Sequence, residues 1–304
     1  MQKVDLAQNP QYAQEFENLD PRYLLKRPTQ FEEEFLGILE GQFDGTPCPL
    51  CPRLSFRPGE VTLWGGINGH GKSLLTGQIA MQLADKGIKS CICSLEMSGG
   101  RTLARQCRQV VGHWPSPTDG INFLQHYDQS LVLMDYRGVI DPKVVLGATV
   151  VAAKDFLCEH IFVDNLMKCV SGEDDYNGQK RFVQSLCSIA SQLGVHIHLV
   201  HHVRKGDKES DEIGKFSFRG TGAITDQVDN VVTIQRNRSK EARRDEGILT
   251  PVDDEAEGDS IMTICKQRNG DFEGRQSLWF NAKAAAFCAD HQRITPWGQR
   301  DYDN

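Results

Sequence analysis

The 304 residues are 39% hydrophobic and 25% charged, with a formal net charge of −7; this length and apolar share bury a full core and exclude a disordered or fibrous chain. The acidic balance excludes a surface coated in nucleic acid, so any nucleic-acid site is local, on a basic loop lining a pore or cleft. Ten cysteines are spread along the chain, with Cys91 and Cys93 inside an apolar strand pattern and no apolar leader ahead of them, which favours a reducing cytosol over a disulfide scaffold, and no apolar run reaches bilayer length.

In chain order, residues 1 to 27 are polar and read as a loosely held arm. Thr29 with Glu32 forms a capping box behind Pro28, and Phe31, Phe35, Ile38 and Leu39 mark one apolar face of a helix over 29 to 40 that Gly41 stops. From about residue 60, strands and helices alternate: EVTLW, helix 73 to 85, IKSCICSLE, helix 98 to 111, SLVLMD, helix 142 to 157, HIFVD, helix 178 to 193, VHIHLV. Such alternation predicts an α/β fold with a mostly parallel central sheet covered by helices. NVVTIQ, SIMTICK and SLWFN then predict an antiparallel extension at one edge, and residues 204 to 222 and 237 to 258, too polar and glycine-rich to bury, predict loops. The expected division is an arm with a docking helix (1 to 54), an ATPase domain (55 to 282) and a tail (283 to 304).

Gly66-Ile67-Asn68-Gly69-His70-Gly71-Lys72-Ser73 is a complete G-x-x-x-x-G-K-S between a strand and a helix, the pattern of a phosphate-binding P-loop. Gly66, Gly69 and Gly71 let backbone N–H groups wrap a phosphate, Lys72 reaches the β and γ phosphates of ATP or another NTP, Ser73 ligates Mg²⁺, and Leu74 follows in the helix opening. The pattern asks nothing of Gly65 or His70. A carboxylate on the metal side is expected at another strand end, where HIFVDN offers Asp164. Glu96 ends the strand in CSLEMS, where it can orient and deprotonate water or cap the next helix.

His201 and His202 close VHIHLV near the expected phosphate site. Zinc is disfavoured there, because alternate residues of a strand face opposite ways and no cysteine or carboxylate stands at ligand spacing. Cys48-Pro-Leu-Cys51 is half of a zinc site without its second half. Asn-Gly between apolar runs predicts a hairpin with Arg268 near its tip, where it cannot easily return to its own P-loop.

GGINGHGKS, SLEMS, HIFVDN, LVHHVRKGDK, FRGTGAITDQVDNVVTIQRN and CKQRNGDFEG, in that order, resemble the motifs of the RecA-like helicase domain of DnaB-type replicative helicases over roughly residues 55 to 282. The His202 motif and RGTGA are nearest to phage primase-helicases and mitochondrial Twinkle, where bacterial members carry glutamine at the His202 position. The resemblance implies an ATPase centre of Lys72, Ser73, Glu96 and Asp164, a γ-phosphate sensor at His202, and Arg268 with Lys266 reaching a neighbouring subunit's nucleotide. It assigns Arg236 and Phe280 to the base, and Arg204, Lys205, Lys208, Arg219 and Gly220 to a loop facing single-stranded DNA. It further implies a homo-oligomeric, hexameric ring in the bacterial cytoplasm, phage origin included; the sequence departs from the family in having no primase domain, so a separate primase, polymerase or loader is the expected partner. Two rivals stay open: a RecA-type recombinase forming a filament, and a nucleotide-controlled loader or scaffold that does not translocate.

Overall fold

The computed structural model describes residues 26–42, 45–170, 172, 175–203, 214, 217–218 and 222–298. The expected DNA-loop residues Arg204, Lys205, Lys208, Arg219 and Gly220 lie outside them. Two compact units are present, Met1–Asp44 and Gly45–Asn304.

In the first unit a 3₁₀ turn, Pro28–Phe31, leads into helix α1, Glu32–Leu39. The entry differs from the Thr29–Glu32 capping box expected: the Arg27 backbone N–H donates to Gln30 Oε1 at 2.8 Å, two residues earlier, because Pro28 already supplies the helical φ. Phe35, Ile38 and Leu39 are exposed.

In the second unit, strands β1 (Thr46–Cys48) and β2 (Cys51–Phe56) form a hairpin, followed by β3 (Val61–Gly66), helix α2 (Lys72–Ala84), β4 (Ser90–Ser94), α3 (Gly99–Val111), α4 (Pro117–Tyr127) and β5 (Leu131–Asp135). The chain continues through α5 (Pro142–Lys154), β6 (His160–Asp164), α6 (Tyr176–Leu193), β7 (His196–His202), α7 (Gly222–Gln227) and β8 (Asn230–Arg236). It ends with α8 (Arg238–Asp245), α9 (Pro251–Ala256), β9 (Ser260–Gln267), β10 (Gly274–Asn281) and β11 (Ala286–Cys288). The nine-stranded sheet has the order β11-β10-β9-β8-β3-β7-β6-β4-β5. The six strands from β8 to β5 are parallel, and β9, β10 and β11 are antiparallel. This is the RecA-like α/β arrangement, with the expected antiparallel extension at one edge.

Several elements depart from expectation. Helix α4 has no counterpart among the expected elements, although Ser116 caps it reciprocally with Asp119 and Pro117 stands at its first position. β11 lies past residue 282 and pairs with β10, so the tail contributes to the sheet. Residues 237 to 258, expected as a loop, carry α8 and α9, with N-caps at Asn237 and Thr250. Most of the segment is exposed, and its polar side chains are tied together around one buried residue: the fully buried Lys240 lies 3.1 Å from Asp254 Oδ1 and 3.0 Å from Asp259 Oδ1, and the partly exposed Arg244 and Arg293 bond the same two carboxylates. Charge in this segment marks an internal ion network, which composition cannot distinguish from a solvated loop.

Alternation along the strands divides the core between two sheet faces. Val61, Leu63, Ile161, Val163, Ile197 and Leu199 face one side. Trp64, Phe162 and Val200 face the other, under the β2 residue Phe56. On this second face His160, His196 and His198 are buried together. Trp64 Nε1 donates to His198 Nδ1 at 3.2 Å, so His198 carries its proton on Nε2 and offers it to His160 Nδ1 at 3.0 Å. His196 Nδ1 lies 2.7 Å from the Arg57 carbonyl and its Nε2 2.8 Å from Thr62 Oγ1, which makes Nδ1 the donor and the hydroxyl the donor to Nε2.

Burial lowers all three imidazoles, His196 from 6.5 to about 4. A group lowered on folding binds more protons unfolded, so its stabilisation is complete above its unfolded value and lost as pH falls through the window from 6.5 to 4. For His196 alone the loss is on the order of 3 kcal/mol, and the other two act in the same direction. The urea midpoint is therefore expected to fall markedly between about pH 7.5 and pH 5. A midpoint constant over that interval means that the three rings are not held neutral by burial.

Candidate functional site

Strand order assembles the site. Reading across β3-β7-β6-β4, the carboxyl ends carry the P-loop, His202, Asp164 and, two residues beyond β4, Glu96; Gly66 is in register with His202, and Asp164 with both Val200 and Ser94. Residues more than a hundred positions apart thus line one cavity of about 320 Å³, with Lys72, Ser73, Glu96, Arg105, Asp164, Asn165 and His202 in its wall.

The loop glycines are required by conformation and by space. Gly69 and Gly71 have φ of +81° and +89°, and a Cβ on Gly71 would meet Phe287 Cζ at 2.8 Å. Gly65 and His70, for which the motif has no use, are packed into the fold: a Cβ on Gly65 would meet Phe218 at 2.3 Å, and the buried His70 accepts the Arg236 backbone N–H at Nδ1, 3.2 Å away, tying the loop to the end of β8. Lys72 is buried, and its Nζ donates to the carbonyls of Gly66 (2.8 Å) and Ile67 (3.1 Å).

Burial raises the Asp164 carboxyl and Glu96 adds to the rise, while a hydrogen bond from Ser73 and the charges of Arg105 and Lys72 oppose it. Its Oδ1 is buried and has no hydrogen-bond partner among the described residues. A hydroxyl beside a carboxylate with an unused buried oxygen is a hard oxygen donor set, and it fits Mg²⁺. The turn of amides around Gly69 and Gly71, backed by the α2 amino terminus, fits a phosphate.

Two further residues belong to this wall that sequence reasoning does not single out. Arg105 of α3 donates from Nη2 to the Ser73 carbonyl at 3.0 Å, and its buried Nε has no hydrogen-bond partner among the described residues. Burial lowers its pKa and Asp164 raises it. The available signal is polar Thr102, Gln106 and Gln109 at helical spacing, a buried stripe on which Arg105 borders. Asn165, next to Asp164, donates from Nδ2 to Glu96 Oε1 at 2.6 Å and contacts His202 Nε2 at 3.1 Å from the same nitrogen.

A second cavity of about 860 Å³ adjoins the first through Gly69, Gly71 and Leu74, and Arg236, Phe280, Phe287 and the α8–α9 ion network line it. Arg236 is bonded through Nε to Glu241 Oε1, and the Phe280 ring packs edge-on against Phe287 at 5.4 Å. Both residues expected at the base therefore share a wall that continues from the P-loop.

Arg268 and Lys266 are elsewhere. Gln267 pairs with Asn230, which pairs with Thr62, and the Arg268 N–H donates to the Asp229 carbonyl, so Arg268 lies at the amino end of β3. From Thr62 to Gly66 is about 13 Å along the sheet at ~3.3 Å per residue. The expected hairpin forms, β9 and β10 pairing antiparallel with Arg268 opening the turn, but the turn is wide, residues 268–273: β10 pairs with β9 only up to Ile264, while Lys266 and Gln267 continue along β8. The cause is side-chain anchoring, since Asn269 donates to Glu60 Oε1 at 2.6 Å and Gln267 bonds Arg53, Ser55 and Phe272. Arg268, half-exposed, pairs with Asp229 at 3.0 Å, and Lys266 Nζ donates to the carbonyls of Thr225, Asp226 and Val228 at the end of α7.

Cys48 and Cys51 face each other across the β1–β2 turn, buried as thiols, and burial pushes Cys48 up to about 12. Among the described residues no helix is long and apolar enough to cross a membrane.

A family model described as an AAA domain matches residues 41–208. Among solved structures, the chain is similar to an ATPase domain solved on its own, at a TM-score of 0.68 and 14% identity, covering 84% of this chain and 97% of that one. It is also similar to a DnaB-like replicative helicase whose structure was described with its interactions with primase, at a TM-score of 0.66 and 14% identity, covering 84% of this chain and 66% of that one. At that identity the likeness is one of fold, and the chain spans just under two thirds of the helicase. With a complete phosphate loop set in a RecA-like sheet, the chain belongs to the AAA-domain family and is an NTPase domain with the fold found in DnaB-like helicases.

Proposed function

We propose that this chain is the motor of a ring-forming DNA helicase that hydrolyses NTP at subunit interfaces and draws single-stranded DNA through a central channel. The observation that carries the reading is the separation just described: the P-loop, Glu96, Asp164 and His202 share one edge of the sheet, and Arg268 stands at the other. A cation needed at the phosphates but held away from its own P-loop serves a neighbour, and head-to-tail repetition of that contact closes a ring.

In this mechanism the loop amides and Lys72 bind the phosphates, Lys72 exchanging its two carbonyl partners for phosphate oxygens. Ser73 and Asp164 hold Mg²⁺, which when bound neutralises charge on the transferred phosphoryl group. Glu96 orients and deprotonates the attacking water, and His202 senses the terminal phosphate. Arg236 and Phe280 hold the base. Arg268 and Lys266 leave Asp229 and the α7 carbonyls to meet the neighbour's nucleotide. Arg204, Lys205, Lys208, Arg219 and Gly220 contact the DNA backbone, and the exposed face of α1 docks on a second copy.

The deciding experiment is unwinding of a forked duplex together with electron microscopy of the nucleotide-bound protein. Rings and NTP-dependent unwinding, both abolished in hydrolysis-dead variants, are expected. Filaments with strand exchange would transfer the reading to a recombinase, and rings that hydrolyse NTP without unwinding would leave a loader. Replacing Arg204, Lys205 and Lys208 together by alanine is expected to flatten the salt dependence of single-stranded DNA binding by about 0.7 log unit for each phosphate no longer neutralised. An unchanged slope places the DNA elsewhere.

A further inference from the structure

Asn165 is 1% exposed, and its side chain links two groups of the site, Glu96 and His202. The orientation of its amide is set by chemistry. A carboxylate only accepts, so the nitrogen and not the oxygen must face Glu96 Oε1, 2.6 Å away. The same NH₂ has a second hydrogen, and 3.1 Å from the nitrogen lies His202 Nε2, which must then be the unprotonated, accepting nitrogen of the ring. Asn165 Oδ1 is left buried with no hydrogen-bond partner among the described residues. The amide is thus oriented by its two acceptors, Glu96 and His202, rather than by any partner of its oxygen among the described residues.

We infer that Asn165 is a positioning residue that couples the γ-phosphate sensor to the general base, one amide hydrogen holding Glu96 and the other holding His202. The inference rests on the proposed roles of Glu96 and His202. Because the accepting nitrogen of His202 is occupied by Asn165, movement of the ring toward a terminal phosphate carries with it the amide that aims Glu96. Hydrolysis is thereby tied to the presence of the third phosphate, since with a diphosphate the ring and the amide are not drawn into the aiming position. The neighbouring cations of the wall are engaged with the loop instead: Arg105 donates to the Ser73 carbonyl, and Lys72 to those of Gly66 and Ile67.

The test is a double-mutant cycle in the full chain on single-turnover NTP hydrolysis, with nucleotide affinity measured separately. Asn165→Ala is expected to lower the hydrolysis rate by about 10- to 10²-fold with nucleotide Kd changed less than about threefold, since the residue aims the base and does not touch the nucleotide. In a Glu96→Gln background the same substitution is expected to add little, because the group it positions is already disabled. Asn165→Asp, of the same shape but without the donor, should reproduce the loss, so a poorly folded alanine variant leaves the test intact. A wild-type rate in Asn165→Ala or Asn165→Asp, with Glu96→Gln inactive, overturns the coupling and leaves the role of Glu96 standing. Losses that multiply with Glu96→Gln also overturn it, by showing a separate structural effect. A near-normal rate in Glu96→Gln removes the base itself, and the coupling with it.

Discussion

Glu96→Gln is expected to bind nucleotide as the parent does and to hydrolyse it at least ~10²-fold more slowly, whereas Lys72→Ala should fail at the binding step. The difference follows from what each side chain touches. Glu96 stands across the 320 Å³ cavity from the P-loop and is bonded to Asn165, so the amide replacement keeps shape and one oxygen that can accept from Asn165 and removes the charge and the ability to take a proton. Lys72 is part of the loop, its ammonium 2.8 Å from the Gly66 carbonyl, and its deletion removes both a phosphate contact and the cation that keeps the loop carbonyls satisfied. Equilibrium binding of a fluorescent nucleotide and single-turnover hydrolysis separate the two. Tight binding by Lys72→Ala, or normal turnover by Glu96→Gln, would each remove the residue from its assigned role.

The second large effect is expected on mixing. Arg268→Ala and Glu96→Gln should each be nearly inactive in DNA-stimulated hydrolysis, the arginine loss costing about 10³-fold if it acts as a finger. Rings assembled from equal amounts of the two would by chance pair an intact Glu96 with a neighbour's intact Arg268 at about a quarter of their interfaces, and those should hydrolyse. The structural basis is that Arg268 lies at the amino end of β3 while the P-loop leaves its carboxyl end, so the two cannot meet within one subunit without taking apart β8 and β9. Arg268 also pairs with Asp229, which accepts the Val61 N–H, so the unfolding midpoint of Arg268→Ala must be measured alongside. Wild-type hydrolysis by Arg268→Ala rings means that the residue only anchors α7 to β8. Absence of recovery after confirmed subunit exchange leaves either obligatory coordination around the ring or a finger acting within its own subunit.

Much of the fold was legible because parallel strands buried on both faces read as unbroken apolar runs, and the helices between them carry clear starts and stops. The P-loop was legible for a related reason: its glycines, lysine and serine are contiguous, and the chemistry is local. The misses have physical causes. Helix α4 is short and buries only Phe123 and Tyr127, although its Ser116-Pro117 cap stood in plain view. The α8–α9 segment looked like a solvated loop because buried ion pairs and surface charge have the same composition, and only the contacts of Lys240 distinguish them. Asn269-Gly270 marked the β9–β10 hairpin, but not its width, which the Gln267 and Asn269 side chains set by anchoring the turn to β2 and Glu60.

The sequence by itself determined the alternation of strands and helices, the phosphate loop and the identity of the carboxylates and histidines at strand ends, because each depends on neighbours within a few residues. Tertiary structure alone decided that β3, β7, β6 and β4 lie side by side, which brings Lys72, His202, Asp164 and Glu96 to one cavity and leaves Arg268 at the far edge. It also decided that Asn165 and Arg105 join that cavity and that three histidines are buried together in the core. Strand order and side-chain burial arise from packing between segments far apart in the chain, and no local pattern encodes which strand will lie beside which.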